Sequence, residues 1–424
     1  MGVEGLTRNT LREAMEKPRI VITGLGVVAP NGIGKEAFWA NCRAGVSGIK
    51  EITLFDTSKY RCHWAGEISN FQPEQYLGPK GLRNLDRTTL LALVAAKLAI
   101  DDAKLSITDE NRNDIGVVLG STMGSVHSIS EFDKEGLREG PRYVNPAHFP
   151  NTVINSPASQ VAIRFGLKGL NTTIATGFTA SLDAMGYAMD MLRLGRAKTL
   201  LVGGVEELCI QTFLGFYKLG LLATSKDETM PVFAPCSGKG AGTLLGEGAA
   251  FVVLELERDA LARNAPILAV LAGYGTYFDP KSVFRFDPEG RGMREAVSAA
   301  LADAGIRADQ VASVSRCANG VSGSEQGERA AIDALFAGSA NSISSLSGKE
   351  LFGETFSADG ALRLAMALGQ AATMTALRNG SSGPKVLVAG SGPVGASSAA
   401  VAALARAVAA TAAPRAAAVP ARTP

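Results

Sequence analysis

Imidazoles are the scarcest reactive side chains in this sequence. His63, His127 and His148 are the only three in 424 residues, and none follows position 148. General acid–base chemistry that draws an imidazole from the second half of the chain is therefore excluded. The stretch 171–190 (NTTIATGFTASLDAMGYAMD) reads as a strand that runs through a Thr-Gly-Phe-Thr turn into a helix. Such an elbow exposes one side chain and turns the first helical amides toward it, which favours a thiolate or an oxyanion. The exposed position here is Phe178, which has no nucleophilic atom. Thr179 and Ser181 supply hydroxyls beside it. A hydroxyl nucleophile needs a base, however, and helix N-capping is the plainer role for Thr179.

Two further features carry possible chemistry. Gly390-Ser391-Gly392-Pro393-Val394-Gly395 fits the pattern G-x-G-x-x-G after a strand. A dinucleotide site also needs an acid about 20 residues on to hold a ribose hydroxyl. No Asp or Glu follows Asp359, so the glycines read as a tight turn against another backbone. Cys317 is a thiol without a neighbouring imidazole, which reads as a small core side chain. The five cysteines have no paired spacing, which argues against a disulfide framework and a zinc site, and no cofactor is implied.

The elements that must position these residues follow from composition and pattern. A hydrophobic fraction of 46% with 19% charged residues describes a compact chain with ample core. Its length implies two structural halves. A net charge of +2 gives no general attraction to nucleic acid or to an anionic membrane. The apolar runs are too short to span a bilayer, and residues 1–18 lack the apolar core of a secretory signal, so a cytoplasmic protein is expected. Strands are expected at 19–28, 115–119, 172–175, 199–205 and 249–255, with buried helices at 84–104 and 180–196. A second series starts near 266, with helices at 290–304, 325–336 and 358–378 and strands at 311–315, 341–346 and 385–389. A Gly-rich turn and a final helix are expected to follow. Alternating strands and helices imply α/β architecture with mostly parallel sheets. The expected organisation is an extension at 1–18, halves at 19–260 and 261–407, and an Ala/Pro tail at 408–424.

From Arg19 to about Arg406 the chain resembles a β-ketoacyl-acyl-carrier-protein synthase of the elongating type. The resemblance rests on 19–32 (RIVITGLGVVAPNG), 36–49 (EAFWANCRAGVSGI), 163–169 (IRFGLKG), 195–206 (GRAKTLLVGGVE) and 244–257 (LLGEGAAFVVLELE). It implies the thiolase fold, with two similar βαβαβαββ halves in five αβαβα layers. It also implies a Cys at the elbow, where this chain has Phe178. Two His of the second half would assist decarboxylation of the malonyl extender and stabilise the oxyanion. Their positions are matched by Asn319, in 317–323 (CANGVSG), and by Glu354, five residues after the retained Lys349. The family's Gly-Phe-Gly-Gly gate becomes Gly392-Pro393-Val394-Gly395, while its acidic Gly-Glu-Gly element persists as Gly246-Glu247-Gly248.

What the resemblance implies for function is a degenerate homologue. Phe removes the nucleophile, and Glu354 sets negative charge where negative charge would develop. Inactive homologues of this kind, the chain-length factors, pair with an active ketosynthase in type II polyketide synthases. Phe178 differs from the Gln usual in aromatic-polyketide factors, which points to another branch such as the polyenes. The expected partners are an active ketosynthase in a heterodimer and, through that complex, acyl carrier protein. Family dimer contacts imply an interface at 172–176 and 120–160, with His127 and His148 as interface or surface residues. Met123, Phe132, Phe149, Phe178 and Pro393 are expected at the tunnel or its gate. Two other readings stand beside this one: a condensing enzyme using Thr179, Ser181 or Cys317, and a module that binds carrier protein.

Overall fold

The computed structural model describes residues 17–225, 230–231, 233, 235, 242–280, 286–337, 344–376, 383–392 and 395–404. Pro393, the tail at 408–424 and most of the extension at 1–18 lie outside the described residues.

The β-branched run near the start forms β1 (Ile20–Ala29), buried along its whole length. The further strands along the main path of the sheet are β2 (Ile115–Gly120), β3 (Asn171–Ile174), β4 (Thr199–Glu206), β5 (Gly248–Leu256), β6 (Ala269–Phe278), β7 (Ser313–Ser315), β8 (Ser344–Leu346), β9 (Lys385–Ser391) and β10 (Ala396–Leu404). Their order across one continuous sheet is β8-β7-β9-β10-β6-β1-β5-β4-β2-β3. The first half reads 3-2-4-5-1 from its edge, and the second reads 8-7-9-10-6, the same permutation. The halves join where β1 and β6 pair antiparallel. Four of the nine neighbouring pairs are parallel and five are antiparallel, so the sheet is mixed rather than mostly parallel. Four of the antiparallel pairs arise because β5 and β10 return beside the opening strand of each half, and the fifth is the β1–β6 junction.

Strand β10 also corrects the expected terminal helix. Its sequence ASSAAVAAL favours a helix by intrinsic propensity. The slot between β6 and β9 is covered on both faces, and there small side chains and ladder hydrogen bonds outweigh propensity.

The helices that bear on the site are α1 (Arg87–Asp102), α2 (Val126–Glu139), α3 (Ala180–Arg193), α4 (Ile210–Lys218), α5 (Arg291–Asp303), α6 (Ser322–Phe336) and α7 (Asp359–Ala376). Asp86 caps α1 by accepting from the Thr89 amide at 2.8 Å. Strand residues alternate between two cores. Val252 and Leu254 of β5, like Val386 and Val388 of β9, face a shared central core with α3 and α7. Phe251 and Val253 face the outer core with α1, whereas Leu387 and Val401 face the outer core with α5. The period of two along each strand thus produces the alternation of helix and sheet layers.

A repeated local device seats the outer helices. A Cβ on Gly24 or Gly26 would lie 2.4 Å from the Ala99 carbonyl or 1.9 Å from that of Ala95. In the second half, a Cβ on Gly273 or Gly275 would lie 2.4 Å from the Ala300 carbonyl or 2.3 Å from that of Ala296. Glycine pairs on β1 and β6 therefore let α1 and α5 rest directly on strand backbone.

Candidate functional site

Strand β3 ends at Ile174, and a tight turn at Gly177–Thr179 feeds α3. Thr179 is already helical (φ −91°, ψ −1°) and makes no capping bond, contrary to expectation. The single-turn helix running straight into α3 leaves no extended residue to act as a cap. Its hydroxyl donates instead to Asp183 Oδ2 at 2.9 Å. The Asp183 carboxylate also accepts from Tyr274 Oη at 2.5 Å and from the hydroxyls of Thr176 and Ser398. Burial and the Asp183 charge together hold the Tyr274 phenol above its ordinary pKa. Ser181 is buried, and its Oγ accepts from the Ala361 amide at 3.1 Å, which ties α3 to α7. The elbow is thus fixed from below, with both hydroxyls engaged.

Phe178 is half-buried at this elbow. Its ring meets Phe356 edge-on at 5.1 Å and stacks on Phe216 at 6.3 Å, and Phe216 lies 5.1 Å from Phe356. Phe356 holds this position with φ +49°, a left-handed backbone that is strained for an aromatic residue. Beside the rings lies a cavity of about 360 Å³ with an apolar lining that includes Met123, Val126, Phe178, Phe216 and Leu219. The tunnel residues expected from sequence divide here. Met123 and Phe178 share this cavity, whereas Phe132 lines a separate polar depression of about 470 Å³ with Asp86, His127, Glu131 and His148. Phe149 is 58% exposed and meets Phe132 at 6.1 Å. The second cavity wall, α4, carries no local sequence signal that marks it as part of a site.

Lys349 is fully buried, and its Nζ lies 2.7 Å from Glu354 Oε2 and 2.8 Å from Asp359 Oδ1. Arg363, also buried, reaches Asp359 Oδ2 at 2.7 Å and donates to the Ser315 carbonyl at 2.9 Å. Two cations and two carboxylates therefore form one buried neutral chain. Burial alone would depress the Lys349 pKa, but Asp359 and Glu354 hold it above the ordinary lysine value. Burial also raises Asp359, and there Arg363 and Lys349 win and hold it low. Glu354 is shifted upward by burial and by Asp359. Its other oxygen accepts from the Phe356 amide at 2.9 Å. The negative charge that the sequence places at Glu354 is thus paired with the retained Lys349.

Asn319 is buried, and its side-chain oxygen accepts from the Val321 amide at 3.1 Å. Two residues earlier, burial pushes the Cys317 thiol up to about 12, and its backbone amide donates to Glu328 Oε1 at 2.5 Å. Cys317 Sγ lies 3.8 Å from the Ser391 carbonyl, and the next residue, Gly392, lies against Phe178. Of the Gly-rich motif, Gly390 and Ser391 end β9 and Gly395 precedes β10, and the Gly392 amide donates to the Ala396 carbonyl at 2.8 Å. Phe178, Asn319 and Glu354 are thus linked through one neighbourhood, by way of Gly392 and Cys317 on one side and Phe356 on the other.

Three buried glutamates complete the surroundings. Glu247 takes a two-bond contact from Arg87 at 2.7 and 2.5 Å and accepts from the Ile68 amide at 2.8 Å. Glu206 and Glu207 lie where β4 leaves toward α4; Glu206 ends the motif 195–206, and Glu207 follows it. Among the described residues, no group of three or more His, Cys, Asp or Glu is placed to hold a metal ion, and no helix is long and apolar enough to cross a membrane.

This architecture has known counterparts. Residues 17–260 match the beta-ketoacyl synthase N-terminal domain, and residues 268–380 match its C-terminal domain. The chain belongs to the β-ketoacyl synthase family. Its relatives include the 3-oxoacyl-[acyl-carrier-protein] synthase 2 of Coxiella burnetii, 34% identical over 349 residues, which is 82% of this chain and 84% of that protein. The synthase of the same name from Staphylococcus aureus is 32% identical over 347 residues, with the same coverage. Solved β-ketoacyl synthase structures superpose along most of the chain. A ketosynthase from a type II polyketide synthase complex with its acyl-carrier protein has a TM-score of 0.81 at 25% identity, covering 92% of this chain and 100% of that one. The ishigamide ketosynthase/chain length factor gives 0.80 at 26%, with the same coverage. The fold is the thiolase fold of these synthases.

Proposed function

We propose that this chain is a non-catalytic member of the β-ketoacyl synthase family that pairs with an active ketosynthase and shapes its acyl tunnel. Its role is then that of a chain-length factor in type II polyketide assembly, including polyene or fatty-acid-like products. The observation that carries this reading is Phe178. At the elbow, where the resemblance implies a nucleophilic Cys, a ring packs on Phe216 and Phe356 and lines an apolar cavity. Asn319 and Glu354 supply no imidazole, and Glu354 is an ion-paired acceptor in place of a donor. Removing the nucleophile and the donors while keeping the cavity leaves a wall for a growing acyl chain. The similarity to the ishigamide ketosynthase/chain length factor supports the same role. Acyl carrier protein reaches this subunit through the complex.

The test is co-expression with a homologous ketosynthase that retains the Cys and both His, followed by native mass measurement and product analysis. A heterodimer is expected, with Phe178→Ala lengthening the product because it enlarges the cavity. An acyl adduct on this chain alone, or malonyl decarboxylation by it alone, refutes the proposal.

A further inference from the structure

Glu206 and Glu207 are adjacent, buried and unused by the function proposed above. They stand between the two walls of the apolar cavity. One wall is α4, whose Thr212, Phe216 and Leu219 line it, and the chain enters α4 directly after Glu207 through Leu208 and Cys209. The other wall is the segment 122–126, which contributes Thr122, Met123 and Val126 and leads into α2. Glu206 Oε1 accepts from the Thr122 amide at 2.7 Å, the Met123 amide at 3.1 Å and the Ser121 hydroxyl at 2.9 Å. Glu207 Oε1 accepts from the His127 amide at 3.1 Å, in the first turn of α2. Across the cavity rim, His127 Nδ1 lies 3.4 Å from Gln211 Oε1. Successive side chains thus grip both ends of one wall from the root of the other.

We infer that Glu206 and Glu207 are positioning residues that fix the separation of the cavity walls and so set the length of acyl chain the cavity accepts. This rests on the acyl-tunnel reading of the same cavity. The grip has a pH dependence. Burial pushes Glu206 up to about 7, against the pull of the Met123 and Thr122 amides and the Ser121 hydroxyl. Burial, then the Asp86 charge, pushes Glu207 up to about 8. The other charged or titratable groups facing the pair are Arg87 with its partner Glu247, the Cys209 thiol and the exposed His127 ring. Both carboxyls are raised in the gripped arrangement, so it binds protons more tightly than any arrangement in which they reach water. The grip is therefore complete below the ordinary carboxylate range and weakens as pH climbs through about 7 to 8. A neutral carboxyl still accepts through its carbonyl oxygen, and glutamine copies that state.

The experiment uses the full chain with short, medium and long saturated acyl pantetheines as calorimetric probes, and amide hydrogen exchange over residues 121–127 as a ligand-free reading of the grip. Wild type is expected to prefer one probe length and to lose about threefold or more in affinity between about pH 6.5 and about pH 9. Glu206→Gln with Glu207→Gln keeps the preference and flattens the pH profile. Glu206→Leu with Glu207→Leu weakens the preferred probe about tenfold, removes the length preference and speeds exchange at 121–127. Unchanged preference and exchange in the Leu pair overturns the inference. If the Leu pair does not fold, a flat wild-type pH profile, or Gln variants that retain a sloping one, overturns it. Failure of every probe to bind wild type overturns the acyl-tunnel reading and the inference together, whereas binding that ignores the variants overturns the inference alone.

Discussion

Lys349→Met removes the cation that touches both Glu354 and Asp359. The two ion pairs it breaks are 2.7 and 2.8 Å long, between groups with essentially no solvent exposure. Asp359 keeps Arg363 at 2.7 Å, but Glu354 keeps only the Phe356 amide at 2.9 Å. Removing one partner of a buried pair destabilises by about 3–5 kcal/mol, because the other charge is left uncompensated in a dry site. Glu354 can escape by taking up a proton. That escape limits the loss to about 1.4 kcal/mol for each pH unit above the ordinary glutamate value, or about 5 kcal/mol near pH 8 and about 2 near pH 6. The sign follows from linkage: in the variant, the folded state holds a glutamate raised above its unfolded value, so stability is lost as pH rises. Guanidinium unfolding of both proteins near pH 6 and near pH 8 reads the difference, and adding Glu354→Gln restores most of it at the higher pH. A loss below about 1 kcal/mol near pH 8, or one equal at both pH values, refutes the electrostatic account.

Further predictions concern packing, a thiol and a second buried pair. Gly26→Ala and Gly275→Ala each drive a Cβ into a helix carbonyl, at 1.9 and 2.3 Å, and each is expected to destabilise by about 3 kcal/mol in thermal unfolding. Gly215→Ala in α4 meets nothing within 4 Å and is expected to stabilise by about 0.5–1 kcal/mol. Cys317, with its thiol pushed up to about 12 by burial, is expected to resist alkylation in the native protein near pH 8 and to react only on unfolding, as mass mapping of labelled peptides will report. Arg87→Gln leaves Glu247 buried without its cation and is expected to lower stability by about 3–5 kcal/mol in the same guanidinium assay.

The legible part of the fold is the part written locally. Apolar runs locate β1, β4, β5 and β9, and amphipathic or small-residue spacing locates α1, α3, α5 and α7 within a few residues. β10 escapes because an Ala-Ser run is helical by propensity, and only its two neighbouring strands make it extended. At the site, Phe178 is readable from the strand-to-helix turn in its own segment, whereas Asn319 and Glu354 are readable only through the resemblance. Their partners are not. Glu206 meets Thr122 from 84 residues away, Glu247 meets Arg87 across 160, and Tyr274 reaches Asp183 across 91. Arg363 sits in an ordinary helical pattern, although it anchors the chain that neutralises Glu354. One-dimensional periodicity tells a side chain's burial, and hydrogen-bond partners over such separations follow only from topology.

The position of β1 bears on how the chain is made. β1 is made long before its main sheet neighbours, β5 and β6, with Ile20 opposite Leu256 and Leu271. At about 5–20 residues per second, translation takes roughly 12–47 s to bring the first of those partners out. For that interval β1, buried along its whole length in the finished fold, lacks both long neighbours, apart from the local pairing of Val28 and Ala29 with Ile33 and Gly32. Such a largely unpaired apolar strand is a template for aggregation. Closing it depends on contacts of very high sequence separation, which are slow to form. Soluble yield should therefore depend on chaperone supply and growth temperature more steeply than the finished fold's extensive core would suggest.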